Sequence, residues 1–136
     1  MNKVEHIGIA VSSLAEAIPL YEKLLNTPCY KTELVDTEKV NTAFFKTGHQ
    51  KIELLESTDP DGVIAKFIAK KGQGLHHVAF EVDDIYSEMK RLEAEGFVLL
   101  QQEPKKGADN KLICFLHPKS TQGVLIELCQ EIRPNR

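Results

Sequence analysis

His6 and His77, with Glu53 and Glu127, are the side chains of this sequence whose types and spacing could do chemistry. They occupy equivalent places in an internal repeat. Val4–Leu14 lies on Leu75–Ile85, which sets His6 on His77 at an offset of 77 − 6 = 71. Lys51–Leu55 lies on Leu125–Cys129, which sets Glu53 on Glu127 at 127 − 53 = 74, so the second copy carries about three extra residues between these segments. Two imidazoles and two carboxylates paired about a pseudo-twofold axis make a His2Glu2 set. Nitrogen and oxygen donors of this kind suit a divalent first-row ion such as Zn, Co, Mn, Ni or Fe. Four protein ligands leave room for water or substrate in a five- or six-coordinate shell. The competing reading of the same residues is hydrogen-bonded strand histidines and solvent-facing glutamates.

The elements that must position these side chains follow from the apolar pattern. Residues 4–11 alternate Val4, Ile7, Ile9 and Val11 around Gly8 and Ala10, a buried strand. Ser13 with Glu16 forms a capping box, and Leu14, Ala17, Ile18, Tyr21, Leu24 and Leu25 make a helical stripe. Pro19 removes a backbone donor inside that helix, which predicts a kink or a late start. Strands follow near 29–35, 40–47 and 50–56, then a turn-rich break at Ser57–Gly62 and a short helix over Val63–Ala69. The second copy repeats the order: a strand over His77–Val82, a helix capped by Asp84 and closed by Gly96, and strands near 97–101, 111–117 and 123–130. This is βαβββ twice, an α+β pattern. It reads as one domain over 1–136, with module 1 at about 1–57, a linker helix at about 58–73 and module 2 at about 74–136.

Side chains alternate faces along a strand. Ile7, Ile9 and Val11 share one face, Val78, Phe80 and Val82 its equivalent, and Ile52, Leu54, Ile126 and Leu128 join them under the helices. That leaves His6, Glu53, His77 and Glu127 on the opposite faces. His76 falls by parity under the helix side or at the strand edge. His49 and His117 precede the glutamate strands and read as loop or structural histidines.

Composition narrows the function classes. A net charge of −3 over 136 residues argues against nucleic acid as a partner. No stretch approaches the roughly 18 consecutive apolar residues of a membrane helix, and Met1–His6 carries charges where a signal peptide has an apolar run. Cys29, Cys114 and Cys129 are odd in number and lack a CxxC spacing, so reduced thiols in a cytoplasmic protein are the simple expectation.

At Glu5–Val11, Lys51–Glu56, Gly74–Ile85, Phe115–Lys119 and Gly123–Leu128 the chain resembles the vicinal oxygen chelate, or glyoxalase-like, superfamily, and within it the methylmalonyl-CoA epimerase family. The resemblance covers nearly the whole chain, and the C-terminal segments are its most discriminating part. It implies two tandem βαβββ modules forming one curved mixed-sheet cleft. It implies a divalent metal, often cobalt, on His6, Glu53, His77 and Glu127, and an acyl-CoA substrate inverted at C2 through a metal-stabilised enolate. A homodimer is implied as well. Inversion needs a proton removed on one face and returned on the other, so Glu127 is the first candidate acid/base and Glu53, or a metal-bound water, the second. The resemblance departs at Val40–Phe44: some members place a glutamate there as acid/base, and this stretch has no carboxylate. Lys105, Lys106 and Lys119 are loop lysines suited to the CoA phosphates, with backbone amides near Gly107 as the alternative. The superfamily leaves two other functions open, a glyoxalase I-like lyase acting on a hemithioacetal and a drug-resistance type binding protein without catalysis.

Overall fold

The computed structural model describes residues 1–133. The elements in chain order are β1 (Lys3–Ala10), α1 (Leu14–Leu25), β2 (Lys31–Val35), β3 (Val40–Thr47), β4 (Gln50–Ser57), α2 (Val63–Lys71), β5 (Gly74–Glu81), α3 (Ile85–Ala94), β6 (Lys105–Lys106), β7 (Lys111–Leu116) and β8 (Ile126–Glu131). The expected order, βαβββ twice with a helix between, is present. The chain forms two compact units, His6–His76 on one hand, and Met1–Glu5 with the described part of His77–Arg136 on the other. No helix among the described residues is long and apolar enough to cross a membrane.

In the His6–His76 unit the strands lie in the order β2-β3-β4-β1, with β1 parallel to β4 and the other pairs antiparallel. Ile9, Val11, Ala43, Phe45, Ile52 and Leu54 face α1, whose Leu14, Ala17 and Tyr21 complete the core. Ser13 caps α1 by accepting the Glu16 amide hydrogen at 3.3 Å. The Glu56 carboxylate takes the Leu14 amide at 2.6 Å, placing negative charge at the positive end of the helix. The helix runs unbroken over 12 residues through Pro19, so the expected late start does not occur. Packing of the apolar stripe on the sheet outweighs the one missing backbone bond.

The other unit repeats this plan. Its strand order is β5-β8-β7-β6, with β5 parallel to β8. Val82, Ile85, Met89, Leu92, Cys114, Leu116 and Leu128 form its core, and burial pushes the Cys114 thiol up, so it stays an inert apolar filler. Asp84 caps α3, its carboxylate accepting from the Tyr86 and Ser87 amides at 3.1 and 3.3 Å. Gln130 takes the Ile85 amide at 2.7 Å, as Glu56 takes that of Leu14. The first residue after each leading strand also repeats its bond: Val11 donates to the Leu55 carbonyl and Val82 to the Cys129 carbonyl, both at 2.9 Å.

The second unit differs from expectation at one edge. The strand expected near 97–101 is reduced to a single bridge between Leu99 and Leu116. The Gln101 side chain takes the Phe115 amide at 2.8 Å and so replaces a ladder partner, and the paired edge strand forms only at Lys105–Lys106, beyond Pro104. The last strand begins at Ile126 rather than near 123, because Gln122 and Gly123 hold left-handed backbone, φ 57° and 97°.

Candidate metal centre

Strand register builds the site in each unit from a row of three residues. In the His6–His76 unit, Gly8 of β1, Glu53 of β4 and Phe44 of β3 stand side by side. In the other unit, Ala79 of β5, Glu127 of β8 and Phe115 of β7 do the same. Each glutamate therefore sits between a residue with little or no side chain and a phenyl wall. His6 and His77 lie two residues before Gly8 and Ala79, on the same face one pleat along. The small neighbour leaves space for imidazole and carboxylate to meet.

They do meet. His6 Nδ1 lies 3.1 Å from Glu53 Oε2, with 5% and 4% of the two side chains exposed. His77 Nε2 lies 3.2 Å from Glu127 Oε1, with 5% and 6% exposed. The His77 ring stands edge-on to Phe115 at 5.7 Å and 90°. A carboxylate this deeply buried requires a charged or hydrogen-bonding partner. An imidazole nitrogen and a carboxylate oxygen bound to one divalent ion at about 2.0–2.2 Å each, as neighbours at a right angle, lie about 3 Å apart. Each pair thus has the donor chemistry and the spacing of two adjacent ligands, and the residues present fit such an ion.

The remaining expected residues divide. Register puts Lys105 beside Ile113, on the face of Glu127, and Lys106 beside Leu112, on the other face. Lys119 is exposed on the short 3-10 turn Pro118–Thr121. That turn occupies the extra residues of the second copy, since Phe44 to Phe115 is an offset of 115 − 44 = 71 while Glu53 to Glu127 is 127 − 53 = 74. His117 is structural, its Nδ1 accepting the Lys119 amide at 3.0 Å. His76 packs edge-on against Phe67 of α2 at 4.9 Å, away from the His77 face. Gly107 does not offer its amide, which donates to the Lys111 carbonyl at 2.9 Å. A Cβ there would sit 2.6 Å from Ile113 Cδ1, so close packing explains the glycine.

Three features of the site were missed from sequence. The phenyl walls Phe44 and Phe115 share the offset of 71 that relates His6 to His77, which is the signal that would have found them. The small residues Gly8 and Ala79 had the same signal. Thr42, fully buried on the Glu53 face, lies in the Val40–Phe44 stretch where the resemblance departs, but the isolation of its hydroxyl had no sequence signal.

The sequence and fold match known proteins over most of their length. A family profile described as the glyoxalase/bleomycin resistance protein/dioxygenase superfamily matches residues 5–115. An uncharacterised protein of Bacillus subtilis, YqjC, is 42% identical over 130 residues, covering 96% of this chain and 93% of that protein. The mitochondrial methylmalonyl-CoA epimerase of Dictyostelium discoideum is 36% identical over 129 residues, covering 94% of this chain and 78% of that protein. The crystal structure of methylmalonyl-CoA epimerase from Mycobacterium tuberculosis superposes with a TM-score of 0.91 at 33% identity, covering 96% of this chain and 88% of that one. A Streptomyces coelicolor methylmalonyl-CoA epimerase variant in complex with 2-nitronate-propionyl-CoA superposes with a TM-score of 0.91 at 31% identity, covering 98% and 99%.

Proposed function

The chain belongs to the glyoxalase/bleomycin resistance protein/dioxygenase superfamily, among the methylmalonyl-CoA epimerases, and from this premise we propose that it is an isomerase that interconverts the two C2 epimers of methylmalonyl-CoA. The observation that carries the reading is the pair of buried His–Glu contacts at repeat-equivalent positions, His6 with Glu53 and His77 with Glu127. We take the two modules to make one domain, with the linker helix between them, and the two pairs to converge on a single divalent ion. Cobalt is the favoured ion, with zinc, manganese, nickel or iron as the alternatives.

In this reading His6, Glu53, His77 and Glu127 hold the ion. When bound, it supplies Lewis acidity that lowers the cost of negative charge on the acyl oxygens. The protein's own groups do the rest. The proton at C2 lies between two carbonyl groups and is already acidic. Glu127 takes it from one face of C2; a carboxylate has two oxygens, so one would remain for the proton while the other holds the ion. Glu53 serves the opposite face of C2 as the equivalent group in the repeat. Lys105 and Lys119 supply positive charge for the CoA phosphates, whereas Lys106, on the opposite face of the sheet, does not reach them from that side. We place the enzyme in the cytoplasm as a homodimer.

Removal of the metal tests the site. Purified protein is expected to hold about one divalent ion per chain. Chelation followed by dialysis should abolish epimerisation of methylmalonyl-CoA, and added cobalt should restore it. Full turnover by the metal-free protein would contradict the four-ligand assignment.

A further inference from the structure

Thr42 is a buried polar group that neither the metal ligands nor the proposed acid/base pair uses. It stands on β3 in register between Glu33 of β2 and Leu55 of β4, and Leu55 is in turn level with Ala10 of β1. This places it on the sheet face of the His6–His76 unit that carries His6 and Glu53, one pleat from Phe44, the wall of Glu53. The residue is 0% exposed, and its Oγ1 has no hydrogen-bond partner among the described residues. A buried hydroxyl without a partner forfeits its hydration and gains nothing in return.

Packing does not demand the hydroxyl. The equivalent residue in the other unit is Ile113, at 113 − 42 = 71, level with Cys129 of β8 as Thr42 is level with Leu55. There a branched apolar side chain fills the same position. Valine, nearly isosteric with threonine, would satisfy the fold at position 42 at no polar cost. The hydroxyl is therefore a choice that the fold alone does not explain, next to the proposed reacting groups.

We propose that Thr42 is a substrate-positioning residue whose hydroxyl donates a hydrogen bond to a carboxylate or thioester oxygen of the bound acyl group. The proposal rests on the epimerase reading. A threonine hydroxyl is far too weak a base to take the C2 proton, but it is a competent donor to a charged oxygen. Diagonal neighbours on a sheet face lie about 7–8 Å apart, so a dicarbonyl group held beside Glu53 extends to Thr42.

The test compares Thr42→Val and Thr42→Ser with the wild type on methylmalonyl-CoA, measuring kcat, KM, metal content and Tm. We expect Thr42→Val to keep its metal, to unfold at the wild-type Tm or above, and to lose about 10- to 100-fold in kcat/KM, the worth of one hydrogen bond to a charged group. Thr42→Ser should recover most of that loss. A valine variant within about twofold of wild type, or a serine variant as impaired as the valine, would overturn the proposal while leaving the epimerase reading intact. A wild type without turnover would overturn both.

Discussion

Glu127 illustrates how far a single residue can be read. Its offset of 74 from Glu53 and its place opposite Ile126 and Leu128 were enough to put it on a helix-free face, and its contact with His77 at 3.2 Å follows from that face. Glu127→Gln keeps the shape of the side chain and removes its charge and its capacity to accept a proton. We expect kcat for epimerisation to fall by about 10²- to 10⁴-fold, the usual worth of a general acid/base, with circular dichroism showing the fold intact. A kcat within tenfold of wild type would contradict its role. What the sequence could not reveal was each glutamate's neighbours across the sheet. Phe44 and Phe115 flank Glu53 and Glu127 only because the strands pair in one register, and a slip of one residue would send them to the other face. The isolation of the Thr42 hydroxyl is a fact of three strands at once and leaves no trace in any one of them.

Elements with both a start signal and a stripe were legible. Helix α1 spans Leu14–Leu25 and α3 begins at its Asp84 cap, as the spacing of their apolar residues requires. The strand near 97–101 was not legible because a side chain, Gln101, substitutes for main-chain pairing there. The Asp84 cap carries a pH signature. The Ser87 hydroxyl, then the Ser87 and Tyr86 amides, hold its carboxyl below the ordinary value of 3.8. A carboxyl whose folded pKa is depressed contributes stability that is complete above its unfolded value and is lost as pH falls through the folded one. Asp84→Asn keeps a capping oxygen without the titration. Denaturant melts below pH 3.8 should therefore show wild type losing stability more steeply with acid than the variant. Parallel curves would show that the cap carries no charge-linked stability.

At the scale of the whole molecule, the repeat was the most informative feature of the chain. It predicted the α+β class and the βαβββ pattern, and the superfamily to which the chain belongs has that fold. The duplication also extends beyond the His–Glu pairs. The caps at Ser13 and Asp84 and the helix-start contacts from Glu56 and Gln130 repeat with it. The two copies diverge at two places. The turn at Pro118–Thr121 lengthens only the second copy, and Thr42 faces the first where Ile113 faces the second.

The most direct test of the central claim follows the C2 proton itself. Metal-loaded protein is incubated with one epimer of methylmalonyl-CoA in heavy water, and deuterium at C2 is read by mass spectrometry. The account predicts deuterium at C2 together with appearance of the opposite epimer. An unchanged C2–H bond, above all alongside rapid turnover of a hemithioacetal, would contradict it and identify a lyase instead.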